Sequence, residues 1–438
     1  MPRLFGTDGV RGVAGVDLTA DLALRLGRAA GNALGARRAL VGRDTRISGP
    51  ELEEACTEGL AEAGLDVALA GVLPSPAVSH LVRAQGYDLG VVVSASHNPP
   101  QDNGIKFYDR EGLKLSPEEE DRVEAMLDAP ASRRQPARVR PAPGARETYR
   151  SFLQQTVPDL SLAGWRIALD CAHGAASEFA PELFASLGAS LVLLGAEPDG
   201  SRINATGAAA LGPLRKLVPE ARADLGVAFD GDGDRAMFVS EDGAVVEGDQ
   251  LLAALAPLLL GWGELASPAV VFTVLANRGP ERYLTERGFR VVRVGVGDRN
   301  VSWAMREGGI ELGGEPSGHI VFGRHAPTGD GILTALLVLR ALRRAGTGLR
   351  DLVAPVPVYP QVRVDVPVAD REGAMASPEV REAITEAERL LAPEGRILVR
   401  PSGTQPVVRV LTEGPDEGKL RAAAEAVAEA LGRLRPAP

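Results

Sequence analysis

The stretch DGDGDR at 230–235 carries three carboxylates at alternate positions. In extended backbone alternate side chains share a side, so Asp230, Asp232 and Asp234 converge. Such a group repels itself unless a cation lies between its members, and hard oxygen donors suit Mg2+ or Ca2+. Gly231 and Gly233 let the loop wrap around that point. Other readings share the stretch. An EF-hand frame uses Asp230, Asp232, Asp234 and Glu241, but Arg235 stands where the sharp turn needs glycine, and a strand leads in instead of a helix. An aspartyl-phosphate phosphatase has an apolar strand followed by D-x-D-G, which AFDGDG matches with Asp230 as nucleophile. A solvated acidic turn is the plain alternative.

VVVSASHNPPQDNGIKF (91–107) places Ser94, Ser96, His97 and Lys106 where an apolar run ends. A Ser-His-Asp hydrolase needs an oriented base, and G-x-S-x-G is absent. Phosphoryl chemistry fits better beside a divalent metal, because a phosphoserine carries close to two negative charges and is itself an anionic ligand. LVRPSGTQPVVRV (398–410) supplies Arg400, Ser402, Gly403, Thr404 and Arg409 around a tight loop, a set suited to a phosphate dianion or to an ordinary polar turn. LGGEPSGHIVF (312–322) offers Glu315, Ser317 and His319 to a hydroxyl-rich ligand such as a sugar. Arg11, Arg43 and Arg46 sit in Gly-containing stretches, as anion contacts or as surface salt-bridge partners.

These stretches need strands and helices to hold them. Residues 39–71, 167–195 and 270–295 repeat one grammar: apolar run, polar turn, amphipathic helix, Gly, second apolar run. Each predicts a strand–helix–strand unit. The tail changes pattern, with helices expected near Pro378–Leu391 and Glu417–Leu434 and two strands flanking Pro401–Pro406. The fold class is thus α/β, three related domains with mixed sheets and then a smaller α+β domain. Connections near 129–144, 247–249 and 365–373 set the domains at 1–150, 151–250, 251–364 and 365–438. The apolar runs 251–262 and 332–342 are too short to span a bilayer and read as buried helices. A net charge of −10 argues against nucleic-acid partners. Two cysteines without ligand spacing, and no apolar leader, predict a cytoplasmic protein without a membrane partner. Lysine occurs only at 106, 114, 216 and 419, which singles out Lys106.

SASHNP (94–99), DGDGDR (230–235), GEPSGH (314–319) and RPSGTQP (400–406), in this order, resemble the α-D-phosphohexomutase superfamily over nearly the whole chain. FGTDGVRG (5–12), GRDTRISG (42–49), DNGIKF (102–107) and VGDRNV (296–301) are similar to its bacterial branch acting on glucosamine phosphates. The resemblance implies four domains around a central cleft, with closure of the last domain over it. It implies a phosphorylated Ser96 and one Mg2+ per chain, held by Asp230, Asp232, Asp234 and the Ser96 phosphate, with Arg235 beside it. Glu315 and Ser317 would contact sugar hydroxyls. Arg400, Ser402, Gly403, Thr404 and Arg409 would hold the non-reacting phosphate. Arg11, Lys106 and His319 would flank the reacting groups.

The implied reaction interconverts glucosamine 6-phosphate and glucosamine 1-phosphate through the 1,6-bisphosphate, toward UDP-N-acetylglucosamine. Glucosamine or glucose 1,6-bisphosphate would be the activator, the phosphosugar the partner, and a homodimer the assembly. Gln405, Pro316, Asn300 and His173 depart from the superfamily pattern, and Asn300 weakens the signature separating amino-sugar from neutral-sugar enzymes. A mutase for neutral hexose phosphates, a phosphatase using Asp230 and a non-catalytic sugar-phosphate binder are the competing readings.

Overall fold

The computed structural model describes residues 3–6, 8–130, 137–402 and 406–433. The chain forms two compact units, one of residues 1–275 and 288–355, the other of 276–287 and 356–438.

The first unit holds three sheets. The first comprises β1 (Val10–Val13), β2 (Arg38–Arg43), β3 (Asp66–Val72), β4 (Leu89–Val93), β5 (Asp102–Tyr108) and β6 (Val139–Pro141), in the order β1-β5-β4-β2-β3-β6. The second comprises β7 (Arg166–Asp170), β8 (Ser190–Leu194), β9 (Leu225–Phe229), β10 (Ala236–Ser240) and β11 (Val245–Val246), in the order β11-β10-β9-β7-β8. The third comprises β12 (Ala269–Thr273), β13 (Arg290–Val294), β14 (Leu312–Gly314) and β15 (Ile320–Phe322), in the order β13-β12-β14-β15.

One topology underlies all three. A parallel pair comes first: β2 with β3, β7 with β8, β12 with β13. A third parallel strand joins on the other side of the first. The chain then reverses into an antiparallel fourth strand. The turn into that fourth strand is residues 94–101, 230–235 and 315–319 in the three sheets, so each repeat delivers its polar motif at the same topological point. The strands before the turns, β4, β9 and β14, are buried along their whole length. A strand covered on both faces reads as a continuous apolar run, which is why the switch to polar residues marked each turn in the sequence.

The helices Ala20–Leu34 and Gly49–Glu62 cross in contact at two glycines: a Cβ on Gly59 would lie 1.9 Å from the Leu24 carbonyl oxygen, and one on Gly27 2.2 Å from that of Cys56. The apolar runs form the helices Gly248–Gly261 and Gly331–Ala345, whose core-facing residues are buried as expected. No described helix is long and apolar enough to cross a membrane. The expected connection at 129–144 differs in one respect: Val139–Pro141 pairs in parallel with β3 as an exposed edge strand. An edge tolerates Pro141 because no neighbour needs its missing N–H. Residues 131–136 of that connection lie outside the described residues.

The second unit has a three-stranded antiparallel sheet of β16 (Gln361–Pro367), β17 (Arg396–Pro401) and β18 (Val407–Glu413), in the order β16-β18-β17. The helices Pro378–Leu391 and Glu417–Arg433 contribute Val380, Leu391, Leu420, Val427 and Leu431 to a core shared with Val366, Val408 and Val410. The expected start of a last domain at 365 falls inside β16. The short helix Arg278–Thr285, within the third repeat, is grouped with this unit, and its Arg278 amide donates to Glu413 Oε1 at 2.8 Å.

Within the first unit the helix Gly331–Ala345 is tied down at its start. Asp330 caps it by accepting from the Leu333 amide, and the Tyr149 hydroxyl lies 2.9 and 3.0 Å from the two Asp330 carboxylate oxygens. Both side chains are buried, and burial pushes the Asp330 pKa from 3.8 up to about 6. The folded chain therefore binds a proton more tightly than the unfolded chain, and stability falls as pH rises from about 4 to about 6, by about 1.4 kcal/mol per unit of displacement. Asp330→Asn keeps the cap and removes the titration. The difference between wild-type and Asp330→Asn Tm should shift against the wild type across that window; a difference independent of pH would contradict this account.

Candidate active site

The turn 94–101 after β4 and the turn 230–235 after β9 meet face to face. Ser96 Oγ donates to Asp230 Oδ2 at 2.6 Å, and Ser96 is only 1% exposed. Its φ is +50°, a left-handed conformation that a serine adopts only when its surroundings impose it. Ser94 contributes: its hydroxyl accepts from the Ser96 amide at 2.9 Å and donates to Asp44 Oδ2 at 2.6 Å. His97 Nδ1 lies 3.4 Å from Ser96 Oγ. Burial, followed by Arg235 and Arg11, lowers the His97 pKa to about 4, so the ring is neutral at physiological pH.

Asp230, Asp232 and Asp234 converge as their spacing implied, each offering an oxygen within 4.8 Å of the others. All three are buried. Burial and then the mutual repulsion of the group raise the pKa of Asp230 and Asp234. Burial works the same way on Asp232, but the charge and hydrogen bond of Lys106, with the Ser75 hydroxyl, together hold that carboxyl well below the usual range. Asp230 Oδ1 accepts from the Arg235 amide at 3.2 Å, and Asp232 Oδ2 accepts from the Lys106 ammonium at 2.7 Å and from the Ser75 hydroxyl. Asp232 Oδ1 and Asp234 Oδ1 are buried without a hydrogen-bond donor. Unpaired buried carboxylate oxygens are costly, and their hard-donor character fits a divalent cation such as Mg2+.

Lys106 is fully buried on β5, 3.0 Å from Asp8 Oδ2 and 3.7 Å from Asp234 Oδ2. Burial alone would depress its pKa, yet Asp232, Asp8 and Asp234 keep it well above the ordinary lysine value. Asp8 also pairs with Arg11 and Lys114, and Lys114 pairs in turn with Asp298. Arg11 places Nη1 3.4 Å from Asn98 Oδ1 and leaves a buried Nε without a partner. Arg235 lies 4.0 Å from Asp230 and 3.9 Å from Asp234.

The third turn completes this side. Glu315 Oε1 accepts from the Gly297 amide at 3.1 Å, and Ser317 Oγ lies 3.4 Å from Glu315 Oε2. His319 is 1% exposed with neither ring nitrogen hydrogen-bonded, and its Nε2 is 3.5 Å from Asp298 Oδ2. The carboxylate, hydroxyl and imidazole expected from GEPSGH thus share one turn.

Asp8 and Asp298 lie inside FGTDGVRG and VGDRNV, and Lys114 is one of four lysines, yet nothing local in the sequence assigns any of them a partner. The scarcity of lysine was the usable signal, since both lysines of the first 150 residues enter this network. Arg46 corrects an expectation: it is neither a surface partner nor turned toward an outside anion, but 0% exposed behind the Ser96 turn. Its chain position gave no hint of that, because burial of an arginine depends on acceptors brought from elsewhere. Arg43 pairs with Glu53 at 3.1 Å, as the salt-bridge alternative held.

In the second unit Arg400 on β17 stands directly across from Arg409 on β18, and Arg409 in turn across from Asp365 on β16. Burial, then Arg409 and Arg363, lowers the Arg400 pKa. Like charges placed opposite one another cost stability unless an anion joins them, and guanidinium forks suit a phosphate. Ser402 is buried at the turn, its amide donating to the Val407 carbonyl at 2.9 Å and its carbonyl accepting from Arg371. Gly403, Thr404 and Gln405 lie outside the described residues.

Four regions of the chain match the phosphoglucomutase/phosphomannomutase family: α/β/α domain I at residues 2–134, domain II at 147–243, domain III at 247–359 and the C-terminal domain at 363–430. The chain is 47% identical to the phosphoglucosamine mutase of Saccharopolyspora erythraea, covering 99% of this chain and 100% of that protein. It is 44% identical to that of Geobacillus kaustophilus, over 99% of both. Among solved structures, a phosphoglucomutase/phosphomannomutase family protein from Burkholderia thailandensis superposes with a TM-score of 0.84 at 26% identity, over 99% of this chain and 98% of that one. The N-acetylphosphoglucosamine mutase of Aspergillus fumigatus, solved with GlcNAc-6P and magnesium, shares the fold with a TM-score of 0.66 at 20% identity, over 99% and 96%.

The crowded carboxylates generate a stability prediction. Without divalent metal, Asp234→Asn relieves repulsion and should melt at or above the wild-type temperature. Mg2+ at about 100 times its Kd should add about 2.7 kcal/mol to the wild type and little to the variant. Thermal melts in EDTA and in Mg2+ check both; equal Mg2+ stabilisation of the two proteins would rule out Asp234 as a ligand.

Proposed function

The chain belongs to the phosphoglucomutase/phosphomannomutase family, and on that premise we propose that it is a phosphoglucosamine mutase working through phospho-Ser96. One observation carries the reading: Ser96 Oγ lies 2.6 Å from the head of a buried aspartate triad with two carboxylate oxygens that accept no hydrogen bond. The name of the curated relatives supports glucosamine phosphates over neutral hexose phosphates.

In this reaction the bond from phosphorus to Ser96 Oγ breaks as a bond forms to the free hydroxyl oxygen of glucosamine 6-phosphate or glucosamine 1-phosphate. The sugar oxygen becomes the second phosphate ester of the 1,6-bisphosphate, and its proton ends on the departing Ser96 Oγ. The bisphosphate turns over, and Ser96 Oγ recovers a phosphoryl group from the other position. Asp230, Asp232, Asp234 and the Ser96 phosphate would hold one Mg2+, whose chemistry is to neutralise charge on the transferring group. Lys106, cationic throughout because three carboxylates surround it, supports the same charge. Arg11, beside Asn98, and Arg235, beside Asp230 and Asp234, add guanidinium charge. Neutral His97 is not needed to activate a serine that rests as its phosphate ester. Glu315, Ser317 and His319 would bind sugar hydroxyls. Arg400 and Arg409, with Ser402, Gly403 and Thr404, would hold the phosphate not being transferred. Glucosamine or glucose 1,6-bisphosphate would activate protein lacking the Ser96 phosphate. A homodimer and a cytoplasmic setting belong to this proposal on family membership alone.

Peptide mass spectrometry of active protein should find phosphate on Ser96, and Ser96→Ala should abolish interconversion. Phosphate on Asp230 instead, as a base-labile acyl phosphate, would replace the mutase by a phosphatase. Arg400→Ala should raise KM roughly 10- to 100-fold, the loss of about 1.5–3 kcal/mol from a charge-assisted contact, with kcat little changed. Assays with glucosamine, glucose and mannose phosphates should give the highest kcat/KM for glucosamine.

A further inference from the structure

Arg46 uses every donor it has. Its Nε donates to Asp44 Oδ2 at 3.0 Å. Nη1 donates to the carbonyls of Pro99 and of Asp102, the latter at 2.7 Å. Nη2 donates to the carbonyls of Ser96 at 2.9 Å and Asn98 at 2.8 Å. A guanidinium has five N–H groups, and here five acceptors take them. The four carbonyls all come from the turn that carries Ser96 or from the first residue of the strand that follows it.

A second group grips the same turn from the second sheet's side. Asn204 Nδ2 donates to the Ser96 carbonyl at 2.8 Å and to the Asn98 carbonyl at 2.9 Å. Asn204 itself has a φ of +62°, and its amide accepts nothing through Oδ1. Ser96 O is therefore held by a guanidinium and an amide at once, while Gly231 leaves the space: a Cβ there would lie 2.7 Å from that oxygen. The left-handed serine is thus fixed at its carbonyl by two side chains and at its amide by Ser94. Fixing both ends of one residue fixes the direction of its Cα–Cβ bond, and with the contact to Asp230 Oδ2 the side on which Oγ lies.

We propose that Arg46 and Asn204 are positioning residues for the phosphoryl carrier, which hold Ser96 left-handed so that its Oγ faces the aspartate triad. Neither touches substrate or the reacting atoms. The inference rests on the reading of Ser96 as the carrier. Their contribution is to transfer and not to sugar binding, because among the described residues their partners lie at the Ser96 turn, Asp102 and Asp44 and not at the turn 315–319.

Two variants test this with the full-length protein. Arg46→Lys keeps the charge but has three donors for five acceptors, and a point ammonium cannot fork between two carbonyl pairs. Asn204→Gly removes the amide and leaves a residue that tolerates a positive φ, so it is the variant expected to fold as the wild type does. In Arg46→Lys kcat should fall roughly 100-fold, and in Asn204→Gly roughly 10-fold, with KM for the phosphosugar within about twofold of wild type. The 31P resonance of phospho-Ser96 should shift or broaden in both, and single-turnover rephosphorylation by glucose 1,6-bisphosphate should slow in step with kcat. If Arg46→Lys does not fold, Asn204→Gly decides alone. A folded Asn204→Gly with wild-type kcat and an unchanged 31P resonance would overturn the proposal, as would a defect confined to KM. Wild-type protein that turns over without phosphate on Ser96 would instead overturn the reading on which the proposal rests.

Discussion

Three carboxylates buried within reach of one another are the constraint around which the first unit is organised. Left to themselves they would take up protons or open to water. The chain instead sets Lys106 and Arg235 against them, and joins Lys106 through Asp8 to Arg11 and Lys114, and Lys114 to Asp298. The result is a lattice of alternating charge in a dry setting, where each pair counts for more than it would at the surface. Two carboxylate oxygens accept no hydrogen bond within that lattice, and they mark where a cation would fit.

The fold supplies the geometry by repetition. Three sheets share one strand order, and in each the polar motif occupies the turn into the antiparallel fourth strand. Two of those turns meet at Ser96 and Asp230, and the third brings His319 to Asp298 and so to Lys114. In the second unit the facing arginines stand on the neighbouring strands β17 and β18.

Much of this was legible in the sequence because the signals are local. Period-two alternation put the aspartates on one side, and continuous apolar runs announced β4 and β9. The strand–helix–strand grammar gave the fold class. Long-range partners were not legible. Arg46 looked like any loop arginine, and Asn204 carried no signal at all, because both act on carbonyls more than 45 residues distant in the chain. The resemblance gave Ser94 no role, yet it holds the Ser96 amide. Val139–Pro141 read as a connection because an exposed edge strand needs no apolar alternation.

The Lys114–Asp298 pair spans 184 residues of chain. Asp298 opens the helix Asp298–Gly308, between β13 and β14, so the third repeat supplies a carboxylate to a lysine of the first. Without it, Lys114 would turn to Asp8, which already takes Lys106 and Arg11. The surroundings of Lys114 are therefore a property of the assembled unit, and no segment of the chain possesses them by itself.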